Sequence, residues 1–123
     1  MDIDIIRDYC LKKGNNVRED MPFGEDVLVF KVGGKIFLLT RLLARPLSIN
    51  LKCDPAKALE LREQYESVSP GYHMNKKYWN TVVLDGKIPA KEIFAMIDHS
   101  YDEVVKGLRK SVPLKNVKRR KRS

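Results

Sequence analysis

Cysteine is scarce in this chain: Cys10 and Cys53 are the only two in 123 residues. No Cys-x-x-Cys occurs, so neither a disulfide framework nor a zinc knuckle is spelled out, and both thiols are expected to be buried and reduced. Apolar runs such as Val27–Phe30 and Ile36–Leu39 fall far short of a membrane span, and the start Met1-Asp2-Ile3-Asp4 is acidic, unlike a secretory signal. A cytoplasmic protein with no membrane partner is therefore expected. Catalytic signatures are missing as well. There is no Gly-x-Ser-x-Gly elbow and no His-x-x-x-His pair, and Gly33-Gly34 lacks the strand-to-helix setting and the Lys-Ser/Thr of a phosphate-binding loop. The expectation is a protein that is not an enzyme and needs neither cofactor nor metal.

What is present is enough for one domain. At 43% apolar residues, a chain of this length buries roughly two-thirds of its unfolded surface around a single core. The net charge is +8, but its placement matters more than its size. Residues 1–114 hold 18 basic and 16 acidic side chains, so the excess sits in Lys115 and the run Lys118-Arg119-Arg120-Lys121-Arg122. A domain over residues 1–112 and a basic, flexible tail over 113–123 follow, because a like-charge run repels itself and buries nothing.

Periodicity supplies the elements. Ile3, Ile6, Cys10 and Leu11 recur at helical spacing and stop at Gly14. A polar linker follows, with Phe23 expected to anchor the core from the Pro22-Phe23-Gly24 turn. The adjacent Glu25 and Asp26 would point to opposite faces of an extended chain and so do not converge on one ion. Asp26–Lys31 and Lys35–Thr40 read as strands of a hairpin turning at Gly33-Gly34, and Leu47–Leu51 as a third strand with one wet face. Asp54 then caps a helix that carries Pro55 at its first position and ends near Glu66. Tyr72–Met74 reads as a short strand, Trp79–Leu84 as a longer one, and Pro89 opens a final helix with an apolar stripe from Ile93 to Leu108. The pattern predicts an α+β two-layer sandwich, an antiparallel sheet with helices on one face, in the order α-β-β-β-α-β-β-α.

One stretch looks unlike packing. Residues 69–81 hold the only Trp, one of two His and a Lys pair. Flat side chains beside clustered cations are the combination that backbone-directed nucleic-acid binding uses. The candidate binding residues here are Tyr72, His73, Asn75, Lys76, Lys77 and Trp79. The tail adds Lys118, Arg119, Arg120, Lys121 and Arg122. Trp79 is expected first as a core anchor, with stacking on a ligand as the alternative. Arg41, Arg45 and Lys52 would extend a basic border if the third strand lies beside this segment. His99 is expected to be exposed or partly packed rather than paired with His73, Ser69, Ser100 or Asp98 in a site.

In their order and spacing, Met21-Pro22-Phe23-Gly24-Glu25-Asp26, Phe30-Lys31-Val32-Gly33-Gly34-Lys35-Ile36-Phe37, Leu51-Lys52-Cys53-Asp54-Pro55 and Tyr72 through Trp79 resemble the MmcQ/YjbR-like family of small bacterial proteins. The likeness covers roughly residues 2–110 and leaves out the basic tail. It implies a sheet-and-helix layer related to the frataxin-like and secretion-chaperone-like folds, and a DNA-binding role. The residue before the Trp, often His in that family, is Tyr78 here. Two functions are consistent with these features. The first is nucleic-acid binding, most simply to DNA, with little sequence specificity, by a monomer. The alternative is a protein-interaction or chaperone-like adaptor that offers a sheet face or edge to a protein partner.

Overall fold

A computed structural model describes residues 1–71 and 74–111 of the chain. Among the described residues nine elements follow one another: α1 (Ile3–Leu11), β1 (Val17–Asp20), β2 (Val27–Val32), β3 (Lys35–Arg41), β4 (Ser48–Lys52), α2 (Pro55–Gln64), β5 (Val68–Pro70), β6 (Trp79–Val83) and α3 (Ala90–Ser111). The strands form one sheet in the order β1-β2-β3-β4-β6-β5, with every neighbouring pair antiparallel. The α+β class and the single helical layer agree with the pattern read from the sequence.

The element order differs from that pattern in two places. The polar linker after α1 is strand β1, a fourth strand ahead of α2. Its alternation is hidden because only Val17 is buried while Arg18, Glu19 and Asp20 are exposed, as suits an edge strand. A second difference is a short strand at Val68–Pro70 that pairs with β6, where the pattern placed the short strand at Tyr72–Met74. Of that expected strand, Met74 lies in a bend, and Tyr72 and His73 fall outside the described residues.

Side-chain alternation gives the sheet two unlike faces. Leu28, Phe30, Ile49, Leu51 and Val82 share the face on which the helices lie, where Ile6 and Cys10 of α1 and Ile93 and Ile97 of α3 complete the core. Phe30 pairs with Leu38 and Lys31 with Ile36, which leaves Phe37 as the extra residue of a β-bulge. The bulge lets consecutive side chains, Phe37 and Leu38, both be fully buried. Phe37 meets Tyr101 of α3 edge-on at 5.3 Å, and its carbonyl accepts from Ser100 Oγ at 2.5 Å. Ser100 Oγ in turn accepts from the Lys52 amide at 2.8 Å, so one buried hydroxyl ties α3 to both β3 and β4.

The Gly33-Gly34 turn is a two-residue hairpin connection with both glycines at positive φ, as expected. A Cβ on Gly33 would sit 2.6 Å from Leu108 Cδ1, so this glycine also lets the end of α3 lie against the hairpin tip.

Candidate functional site

On the strand face opposite the core, at the end of the sheet beside the C-terminal part of α3, β4 and β6 place Lys52 directly opposite Trp79. Beside them run Asn50 and Thr81, joined by a hydrogen bond that Thr81 Oγ1 donates to Asn50 Oδ1 at 2.6 Å. Trp79 is half-buried and stands outside the core cluster, so the expectation of a core anchor is corrected. The reason is register. Asn80 and Val82 take the inward positions of β6, and alternation then turns Trp79 and Thr81 outward.

The position of Trp79 is set by its neighbours' backbone. The Gly71 amide donates to the Trp79 carbonyl at 2.9 Å, and a Cβ on Gly71 would lie 3.0 Å from Trp79 Cβ. The Cys53 amide donates to the Tyr78 carbonyl at 2.7 Å. From α2, Arg62 reaches across: Nε donates to Asn80 Oδ1 at 2.7 Å, and Nη2 donates to the carbonyls of Lys76 and Trp79. Asn80 is fully buried and donates its amide to the Ala58 carbonyl at 3.4 Å. A planar guanidinium with several donors in fixed geometry suits this bridging task. Arg62 was not legible as a site residue, since one arginine on a polar helix carries no pattern.

The turn before β6 also bonds within itself. Asn75 Oδ1 accepts from the Lys77 amide at 2.9 Å and its carbonyl accepts from the Tyr78 amide at 3.1 Å. Asn75 is thus a turn-forming residue, a local use typical of its side chain. Lys76 and Lys77 are exposed on the same turn, with Lys77 Nζ 5.5 Å from the Tyr78 ring centre.

Trp79 and Lys52 form one wall of a groove of 640 Å³. Phe23 lines it as well, 62% exposed and therefore not the core anchor that the turn suggested. It sits in the turn between β1 and β2, off the strands whose inward positions build the core. The β2–β3 hairpin adds Lys31 and Lys35, and α3 contributes Gly107. A second cleft shares Lys52, Trp79 and Gly107 and adds Lys106 and Lys110, with Glu103 as its carboxylate. Lys31 is paired with Asp20 at 3.0 Å and Lys106 with Glu103 at 3.0 Å.

Carboxylates gather elsewhere. Glu92, Asp98 and Asp102 of α3 line a separate cleft beside Lys57 and His99. Asp98 accepts from Tyr9 and from Lys13 Nζ, both at 2.7 Å, and burial with this bond raises the Tyr9 phenol to about 12. His99 Nε2 accepts from the Asp54 amide at 3.1 Å, which holds the neutral imidazole at the start of α2. Burial is the main cause that lowers its pKa. Cys10 and Cys53 are buried free thiols, raised by burial to about 12 and about 11, so neither is a thiolate at neutral pH.

Of the sequence-predicted residues, the structure therefore brings Trp79 and Lys52 together and leaves Asn75, Lys76 and Lys77 on the adjoining turn. Arg41 and Arg45 do not join them: β3 places Arg41 toward the Ser48 end of β4, and Arg45 donates to the carbonyls of Leu42 and Ala44. Tyr72, His73, Lys118, Arg119, Arg120, Lys121 and Arg122 lie outside the described residues. Among the described residues no helix is long and apolar enough to cross a membrane.

Known proteins share this arrangement of elements. A crystal structure of the Deinococcus radiodurans protein DR2400 superposes with a TM-score of 0.81 at 39% identity, covering 85% of this chain and 79% of that one. A Pseudomonas syringae protein gives a TM-score of 0.70 at 32% identity over 81% of this chain and 96% of its own. The uncharacterized protein YbdF of Escherichia coli O157:H7 is 46% identical over 72% of this chain and 73% of its own length. YjbR of Escherichia coli K12 is 32% identical over 85% and 88% respectively. The YjbR family model matches residues 13–103, and with these relatives it shows that the chain belongs to the YjbR family.

Proposed function

We propose that this chain is a cytoplasmic, monomeric, non-catalytic protein that binds nucleic acid, DNA foremost, through the phosphate backbone and with little sequence preference. One observation carries the reading. The body is almost balanced in charge, yet Lys31, Lys35, Lys52, Lys106 and Lys110 line two joined grooves in which Glu103 is the sole carboxylate among the described residues. Phosphate contacts of this kind position a nucleic acid without reading its bases. The run Lys118–Arg122 adds five cations in sequence. If these alone engaged about five phosphates, the log-log salt slope would be near −4.5, an affinity loss of several hundred-fold between about 50 and 200 mM salt.

Fluorescence anisotropy of labelled DNA against salt tests this. Binding at low salt with a steep negative slope is the expected result. No binding at low salt, together with a protein partner retained after nuclease treatment, would replace it with the adaptor reading. Such a partner would have to use the open face, since the edges are short and blunted: β1 exposes Arg18, Glu19 and Asp20, and β5 ends at Pro70.

A further inference from the structure

Gly107 stands inside α3, four residues before the helix ends, where glycine is disfavoured relative to alanine. No packing explains it: a Cβ built there meets nothing within 4 Å. The same position lines both grooves and faces the space bounded by Trp79 and Lys52. Phe23, Ile36 and Met74 give the larger groove further apolar lining, while Lys31, Lys35 and Lys52 make its charged part, among the described residues, entirely cationic. Its volume of 640 Å³ falls within the range of about 300–1,000 Å³ typical of sites for small organic groups.

Resting on the nucleic-acid reading, we propose that this groove takes an unpaired nucleotide, with the base on the exposed face of Trp79 and the flanking phosphates on Lys52 and Lys35, and that Gly107 keeps the entrance open. The occupant follows from two chemistries meeting in one place. An aromatic face in an apolar recess selects a flat group, and the cations around it select an anion attached to that group. Duplex DNA supplies phosphate but no free base face, because each internal base is already stacked on both sides. Single strands supply both. The site therefore discriminates strandedness, a property that backbone charge alone does not confer.

Trp79 is the only tryptophan, so fluorescence excited at the red edge, where tyrosine does not absorb, reports on this side chain. The full-length chain is titrated with an oligothymidylate of about ten nucleotides and, separately, with a relaxed closed-circular duplex that has no ends. Binding of each is followed in parallel by gel mobility. The expected result is strong quenching by the oligothymidylate and little by the circle, although both are retarded. A Gly107→Leu variant, which adds bulk without charge, should melt no lower than wild type and lose about tenfold in oligothymidylate affinity, a larger loss than it shows for the circle. Retardation of both probes without quenching, or equal quenching by both, overturns the single-strand site and leaves backbone binding standing. Unaltered oligothymidylate affinity in a folded Gly107→Leu protein likewise overturns it. Retardation of neither probe overturns the backbone reading as well.

Discussion

The two faces of the sheet use the same strands to opposite ends. Phe30, Leu38, Ile49, Leu51 and Val82 point one way and are almost wholly removed from water. One residue along, Lys31, Leu39, Asn50, Lys52 and Thr81 point the other way and remain partly exposed, and only toward the start of β2, at Val27 and Val29, is that face buried. The inner face is held by area, and any apolar side chain of fitting shape serves there. The outer face is held by specific bonds, Thr81 to Asn50 across the strands, while Arg62 of α2 fixes the backbone on either side of the turn that leads into Trp79. Removing a side chain should therefore cost the inner face stability and the outer face binding. Substitutions on each face put that contrast at risk.

The largest effect is expected at Phe30→Ala, a fully buried side chain at the middle of the inner face. It should lose about 3–5 kcal/mol of stability in urea denaturation. Arg62→Leu comes next, at roughly 2–3 kcal/mol, because it removes charge-assisted bonds and leaves the buried Asn80 Oδ1 without its donor. This variant should also broaden the Trp79 emission toward that of a solvent-exposed indole, since the fork that holds the loop is gone.

Trp79→Leu is the direct test of the contrast. As a half-buried residue on the outer face it should cost only about 1–2 kcal/mol, while weakening nucleic-acid binding in anisotropy by the worth of one stacked base, about 1–3 kcal/mol. A stability loss as large as that of Phe30→Ala would mean that the outer face is core after all. Lys76→Ala with Lys77→Ala, made in a chain lacking residues 115–123, should lower the salt slope by about one unit for each phosphate no longer engaged. The truncation itself should move the thermal midpoint by less than about ten degrees, the shift that a loss above roughly 1 kcal/mol would produce in so small a domain.

The smallest effect is a pH dependence at His99. Its pKa is lowered in the folded protein, chiefly by burial, so the unfolded chain binds the extra proton more readily. The contribution of the neutral imidazole is complete above the ordinary value near 6.5 and is lost as pH falls through the lower folded value. Urea midpoints measured from pH 7.5 downward should therefore fall more steeply in wild type than in His99→Gln. The signs agree with the hydrogen bond, because a protonated imidazole no longer accepts from the Asp54 amide.

Much of the inner face is legible in the sequence. Strands β2 and β3 carry dense apolar patterning and a glycine pair at the turn, and α3 carries a long stripe, so local periodicity and burial point to the same elements. Strand β1 escapes because an edge with one buried residue has no alternation to detect. β5 escapes because Pro70 ends it after three residues. The cap of α2 is legible, as Asp54 accepts from the Lys57 amide three residues on.

The outer face is legible only in composition. Chain order alone establishes that one tryptophan lies among cations, that two cysteines stand apart, and that β6 alternates between its two faces. Those are properties of neighbours along the chain. Packing in three dimensions settles that Asn80 rather than Trp79 faces the core, that Phe23 is exposed beside the groove, and that Lys31, Lys35, Lys106 and Lys110 surround it together with Lys52 and Gly107. These residues come from β2, β3, β4, β6, α3 and the turn after β1, and sheet pairing and helix docking alone bring them together. No periodicity within one segment encodes which residue of another will lie beside it. That is settled by register across strands and by the angle at which α3 crosses them, both products of the packed core.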